Sequence, residues 1–150
     1  MPKKKTIEII ARGVCIKRGM LLLCHGKGKG NTYLPGGHVE FKESAPDSLV
    51  REVREELGVK SSAKRFLGCV EHTFKYEGKR TCEVNLVFEL DVPSVSPSKS
   101  PPSAEDYIEF IWWPVNKLYN SSLEPFVLRE MIPAWHERRA NAAAWASTCD

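Results

Sequence analysis

Glu52, Glu55 and Glu56 fall within one helical turn of the stretch REVREELGV, residues 51–59. Carboxylates crowded in this way are hard oxygen donors, and the group that suits them is a divalent ion such as Mg²⁺ or Mn²⁺. On a helical wheel at about 100° per residue, with Glu52 at zero, Glu55 lies near 300° and Glu56 near 40°. Leu49, Val53, Leu57 and Val50 follow at about 60–160°, so the apolar stripe lies directly beside the acidic arc. Asp47, Arg51 and Arg54 occupy the arc near 200–260° and read as the solvated face. Glu52 and Glu56 form a like-charge i,i+4 pair at the core edge, which costs some tenths of a kcal/mol on an isolated helix. A cation would offset that cost.

The elements that must position these acids are read from local signals. Ser44 is a candidate N-cap, Pro46 lies in the first turn, Asp47 stands at the positive end and Gly58 is the stop, so a helix is predicted over Ser44 to Gly58. Immediately upstream, LPGGHVEFKES supplies Pro35, Gly36 and Gly37, then Glu40 and Glu43. Paired glycines let backbone groups approach a ligand closely.

The runs IEIIARGVCI (7–16) and MLLLCH (20–25) predict an opening hairpin turned at Arg18-Gly19. RFLGCVEHTFKY (65–76) and RTCEVNLVFELDV (80–92), separated by Glu77-Gly78-Lys79, predict a second. The loop GKGKGNT (26–32) lacks the spacing of a Walker phosphate loop. Residues 93–106, rich in Pro and Ser, read as a mobile surface loop within the domain. After the strand YIEFIWW (107–113), a C-terminal helix is predicted over about 121–145, with Pro133 kinking or splitting it. This order favours one α/β layered domain with a mixed sheet, spanning residues 1–150.

Composition sets the outer limits. A chain of 150 residues with 42% hydrophobic and 27% charged residues and net charge +3 is that of a globular domain, and the charge is too small and scattered to argue for nucleic acid. Five cysteines without a C-x-x-C pair suggest neither a zinc ribbon nor a disulfide framework, and point to reduced thiols in a cytoplasmic protein. The N-terminus lacks the apolar run of a secretion signal, no segment has the length of a membrane span, and Lys3–Lys5 read as a solvated tail.

From Gly37 through Glu43, Arg51-Glu52, Val53, Arg54, Glu55-Glu56, Leu57, Gly58 and Val59, every fixed position of the Nudix box is filled, and the chain resembles a Nudix hydrolase. The resemblance extends more loosely over about residues 6–120, including LPGGHVE and the ending FIWWPVNKL. It implies a Nudix-type α/β/α sandwich with a mixed β-sheet, and hydrolysis of the diphosphate linkage in a nucleoside diphosphate joined to another group. It further implies Mg²⁺ or Mn²⁺ held by Glu52 and Glu56 with Glu55 and the Gly36 carbonyl. Arg51 would pair with Glu43 to brace the loop against the helix, which corrects the wheel's placement of Arg51 in solvent. The general base stays open among Glu56, Glu52 and Glu105, with Glu109 and Asp106 as rivals of Glu105.

Arg12, His25, Lys27 and Lys29 are candidates to line the phosphate approach, and one of Trp112 and Trp113 is a candidate to stack on a base. The position of Tyr76 is similar to that of a tyrosine in diadenosine polyphosphate hydrolases, although a hairpin-end tyrosine needs no substrate to explain it. The expected partner is a nucleotide-type small molecule, without membrane or nucleic acid. A homodimer is compatible with the sequence. Substrate choice stays open among nucleoside triphosphates, dinucleoside polyphosphates, nucleotide sugars and ADP-ribose. Two rival readings are a catalytically inactive nucleotide- or RNA-binding regulator and an RNA 5′-end pyrophosphohydrolase, for which Lys3–Lys5 and Arg138-Arg139 would guide the strand.

Overall fold

The computed structural model describes residues 4–150. Of the basic start, Lys3 lies outside the described residues, while Lys4 and Lys5 are exposed. The strands are β1 (Ile7–Val14), β2 (Ile16–Lys17), β3 (Met20–Gly26), β4 (Thr32–Tyr33), β5 (Gly36–His38), β6 (Ser62–Tyr76), β7 (Lys79–Asp91), β8 (Ile108–Pro114) and β9 (Trp145–Ser147). The helices are α1 (Ala45–Leu57) and α2 (Leu128–His136), with a 3-10 segment at Val115–Asn120.

A five-stranded sheet runs in the order β5-β1-β7-β6-β9, and a second sheet joins β2, β3 and β4 with β8 against β3. The larger sheet is mixed: β1 pairs parallel with β7 and β9 parallel with β6, whereas β1–β5 and β6–β7 are antiparallel. Strand β3 lies between two apolar layers, so Leu21, Leu22, Leu23 and Cys24 are all fully buried. Alternation along the strand divides them. Leu21 and Leu23 join the core under α2 with Val14, Val70, Val87 and Ile132, while Leu22 and Cys24 join Leu49, Val53 and Phe88 under α1. The result is an α/β/α arrangement in which the sheets separate the two helices.

Two expectations are corrected. The opening hairpin is confined to Ile16–Leu21, where Arg18 (φ 49°) and Gly19 (φ 72°) make the two-residue turn. β1 breaks away at Cys15 and instead pairs with β5 and β7 in the other sheet. The second hairpin forms as expected and turns tightly at Glu77 (φ 49°) and Gly78 (φ 76°).

The helix expected over 121–145 is reduced to Leu128–His136, which accommodates Pro133 without splitting. Upstream of it, backbone groups are spent on β4: Thr32 N–H donates to Ser122 O (3.0 Å) and Glu124 N–H to Thr32 O (2.9 Å). Downstream, Arg138 adopts φ 52° and the Ala-rich tail forms β9 along β6. Tertiary pairing here overrides helix propensity.

The Pro/Ser stretch has no regular structure, yet Val95 is buried in the core under α1. Lys17 Nζ donates to Val92 O (2.6 Å) and Val95 O (2.7 Å). Trp112 and Trp113 do face opposite ways, but both pack against core, Trp112 under α1 and Trp113 under α2. All five cysteines are free thiols, with Cys15 and Cys24 buried.

Candidate active site

The site grows from α1 and the β5 strand beside it. The Ser44 side chain caps α1 by accepting from Asp47 N–H at 3.2 Å, and Gly58 ends it at φ 69° while donating to Arg54 O at 2.8 Å. Gly36 has φ 136°, and a Cβ there would fall 1.9 Å from Ala11 O. Only glycine fits. A Cβ on Gly37 would fall 2.4 Å from Glu52 Cδ, so the bare backbone of β5 is what brings the loop and the helix acids together.

Arg51 organises the acids. Its Nε and Nη2 donate to the two Glu43 oxygens at 2.7 and 3.0 Å, Nη2 also reaches His38 O (3.1 Å), and Nη1 donates to Glu52 (3.1 Å) and Glu55 (3.2 Å). Bidentate pairing holds the Glu43 carboxyl at a pKa of about 2 and raises that of Arg51. The wheel's solvated Arg51 is therefore a bridge between loop and helix.

The three helix acids differ in exposure: Glu56 is 7% exposed, the Glu52 side chain 18% and that of Glu55 52%. Burial pushes the Glu56 carboxyl up to about 7; the Arg12 guanidinium pulls against this and the Glu52 charge adds to it. A backbone hydrogen bond at Gly36 and the Cys24 thiol, 3.6 Å from Oε2, are its neutral partners. Beside the buried Glu56, the Cys24 thiol is held well above its ordinary pKa, chiefly by burial and then by that carboxylate, so it stays protonated.

Glu105 reaches the same region by its backbone. Ala104 N–H donates to Glu56 O at 2.7 Å, and the Ser103 hydroxyl donates to Glu105 O at 2.8 Å while accepting from Glu105 N–H at 3.1 Å. Tyr107 marks the convergence. Its hydroxyl pKa is raised by partial burial and then by the charges of Glu105, Glu56, Glu52 and Glu55 together.

Among the described residues no three His, Cys, Asp or Glu side chains already converge as a ligand set, and Arg51 supplies the counter-charge to Glu52 and Glu55. The donor chemistry nevertheless fits a hard divalent ion. Glu52, Glu55, Glu56 and the Gly36 carbonyl are all oxygen donors, and the buried Glu56 carboxylate gains most from a cation.

A cleft of ≈ 460 Å³, lined by none of these acids, shares Arg12 with their surroundings. Arg12 connects the two: it lines the cleft, donates through Nη1 to Leu34 O (3.0 Å), stacks over the Tyr33 ring at 5.3 Å and acts electrostatically on Glu56. Tyr76 also lines the cleft, and its hydroxyl accepts from Lys29 Nζ at 3.1 Å. His25 and Lys27 stand outside the lining. Both His25 ring nitrogens are engaged, Nδ1 with Glu109 (2.8 Å) and Nε2 with Lys29 O (2.7 Å), and Lys27 contributes a backbone N–H to Tyr107 O (2.9 Å).

Among the lining residues that sequence reasoning missed are Tyr33, His72, Phe74, Asn85 and Glu124. The hairpin register, fixed by the turn at Glu77-Gly78, already pairs His72 with Glu83 and Val70 with Asn85. That register was the available signal.

A family model described as the NUDIX domain matches residues 8–135, and the chain belongs to the NUDIX family. It is 35% identical over 83 residues to the ADP-ribose pyrophosphatase of Methanocaldococcus jannaschii, a match covering 53% of this chain and 48% of that protein. The chain thus spans about half the length of this relative. Among solved structures, the MutT protein of Methanosarcina mazei Go1 superposes with TM-score 0.69 at 20% identity, covering 93% of this chain and all of that one. The Escherichia coli ORF135 protein superposes with TM-score 0.67, also at 20% identity, covering 91% and 96%. Both are likenesses of fold. Among the described residues no helix is long and apolar enough to cross a membrane.

Proposed function

We propose that the protein is a divalent-metal-dependent pyrophosphohydrolase that cleaves the diphosphate linkage of a nucleoside diphosphate joined to another group. The observation that carries this reading is the position of Arg12, whose guanidinium belongs at once to the cleft lining and to the electrostatic surroundings of Glu56. A nucleotide lying in the cleft would have its phosphates beside Arg12 and its scissile linkage beside the acids.

Glu52, Glu55, Glu56 and the Gly36 carbonyl would hold Mg²⁺ or Mn²⁺. Such an ion supplies charge neutralisation on the diphosphate oxygens and acidifies water. Arg51, anchored by Glu43, fixes where Glu52 and Glu55 point. Arg12 binds phosphate oxygens as a fork of N–H donors. The proton released by the attacking water passes to a carboxylate of the group, and we assign this role to Glu105. Glu52 is held by Arg51 and Glu56 is buried, whereas Glu105 stands on a loop bonded to the backbone of Glu56. The name of the Methanocaldococcus relative, a pyrophosphatase, agrees with this class of reaction.

The test is a screen of purified protein with Mg²⁺ or Mn²⁺ against nucleoside triphosphates, nucleotide sugars, ADP-ribose and dinucleoside polyphosphates. Turnover of at least one class is expected. Binding without turnover of any would transfer the protein to the regulator reading.

A further inference from the structure

Arg12, Asn31 and Lys75 supply donors to the cleft lining, while its carboxylates, Glu83 and Glu124, gather about His72. Pairing of β1 with β7 and of β7 with β6 sets Glu83 beside His72 and Asn85 beside Val70, and alternation puts Glu83 and Asn85 on the face that carries Arg12. Asn85 is 1% exposed. Its Nδ2 donates to Val70 O at 3.3 Å and to Glu83 Oε1 at 3.1 Å, two groups that only accept, so the amide has one satisfactory orientation. That orientation leaves Asn85 Oδ1 buried without a donor. It also fixes the Glu83 carboxylate by one oxygen, with no ion pair to it among the described residues.

A second carboxylate faces the same space. Glu124 lines the cleft and accepts from Arg129 Nη2 at 3.2 Å through one oxygen. Both carboxylates act electrostatically on His72, yet burial holds the imidazole below its ordinary pKa, so it does not neutralise them. His72 instead stacks on Phe74, with ring centres 5.2 Å apart and planes inclined by 25°. Around His72 the cleft therefore offers flat ring faces and two carboxylate acceptors.

A planar ligand that donates hydrogen bonds along one edge satisfies such a wall, and one that presents carbonyls there meets like with like. Guanine offers an N1–H beside an exocyclic N2 amino group. Adenine and cytosine offer one amino group next to a ring acceptor, and uracil and thymine one N–H between two carbonyls.

We infer that this floor is a base-selecting subsite for guanine nucleotides, in which Glu83 and Glu124 accept the N1–H and N2–H₂ donors and Asn85 positions Glu83. The inference rests on the hydrolase reading for its kinetic test. Hypoxanthine keeps the N1–H and lacks only the amino group, so GTP and ITP isolate the predicted contact. The value of kcat/KM for GTP is expected to exceed that for ITP by roughly ten-fold or more, as for loss of a hydrogen bond to a charged acceptor. Glu83→Gln and Asn85→Asp should each narrow that ratio, a change that a purely structural role would not produce.

Equal kcat/KM for GTP and ITP, a preference for UTP, or a ratio unaltered in Glu83→Gln overturns the inference and leaves the hydrolase reading intact. If no nucleotide is turned over, the hydrolase reading fails instead. Calorimetric titration with the methylene-bridged analogues of GTP and ITP then decides: tighter binding of the guanine analogue supports the subsite, and equal binding overturns it.

Discussion

Arg51 grips both carboxylate oxygens of Glu43, at 2.7 and 3.0 Å, and with its remaining nitrogen reaches Glu52 and Glu55. One guanidinium thus ties the β5–α1 loop to the acids of the helix. Lys cannot reproduce this fork. Arg51→Lys is expected to lower turnover by about 10²-fold, the scale on which misplacing catalytic groups by an ångström acts, while the protein still folds. Steady-state kinetics with a circular dichroism melt separates the two effects.

The same pair sets an acid limit on stability. The folded Glu43 carboxyl titrates near 2 against an ordinary value of 4.5, so its contribution is complete above about pH 4.5 and is lost as pH falls through about 2. Glu43→Gln should melt below wild type at pH 6, and the difference should shrink in that acid window. A difference that grew on acidification would contradict the pairing.

The two glycines before the helix are expected to fail differently. An added Cβ at Gly36 meets the Ala11 carbonyl, which belongs to a sheet strand and cannot give way, and φ is 136°. Gly36→Ala should cost about 2–4 kcal/mol. At Gly37 the added atom meets only the Glu52 carboxylate, the end of a side chain. Gly37→Ala should keep most of the stability and lose activity, as measured by denaturant unfolding alongside turnover.

How much of this was readable in the sequence follows the range of the interactions. Ser44, Pro46 and Gly58 act within a few residues, so α1 lies at Ala45–Leu57 inside the predicted Ser44 to Gly58. The wheel also put Glu56 beside Leu49 and Val53, and Glu56 is buried there. The partner of β1 was not legible, because parallel pairing with residues 82–89 leaves no local trace. The tail ANAAAW has helix propensity, yet Ala144 O is taken by Cys69 N–H and the segment becomes an edge strand. Trp112 and Trp113, one of which was read as a candidate to stack on a base, both pack against core, since the second sheet is covered on both faces.

That C-terminal segment yields a stability prediction remote from the chemistry. Trp135 is 5% exposed, closes over Gly68, and donates through Nε1 to Ala143 O at 2.9 Å. Trp135→Ala should cost about 3–5 kcal/mol by urea unfolding, without changing KM at a temperature where the variant remains folded.

His25 gives a pH dependence of opposite sign. Its hydrogen bonds to Glu109 and Lys29 O raise the folded pKa above 6.5, so the stabilisation is complete below that value and disappears as pH rises through the folded pKa. NMR titration should show the His25 ring titrating above 6.5 in wild type and lower in Glu109→Gln.

The central claim, that the helix acids serve metal-dependent cleavage of a diphosphate, is tested most directly at Glu56. The measurement is Mg²⁺-dependent hydrolysis of the best substrate by Glu56→Gln, compared with wild type at equal folded fraction. Neutralising this carboxylate should lower kcat by roughly 10²- to 10⁴-fold and flatten the dependence on Mg²⁺ concentration. A variant that kept wild-type turnover and the wild-type Mg²⁺ dependence would contradict the account.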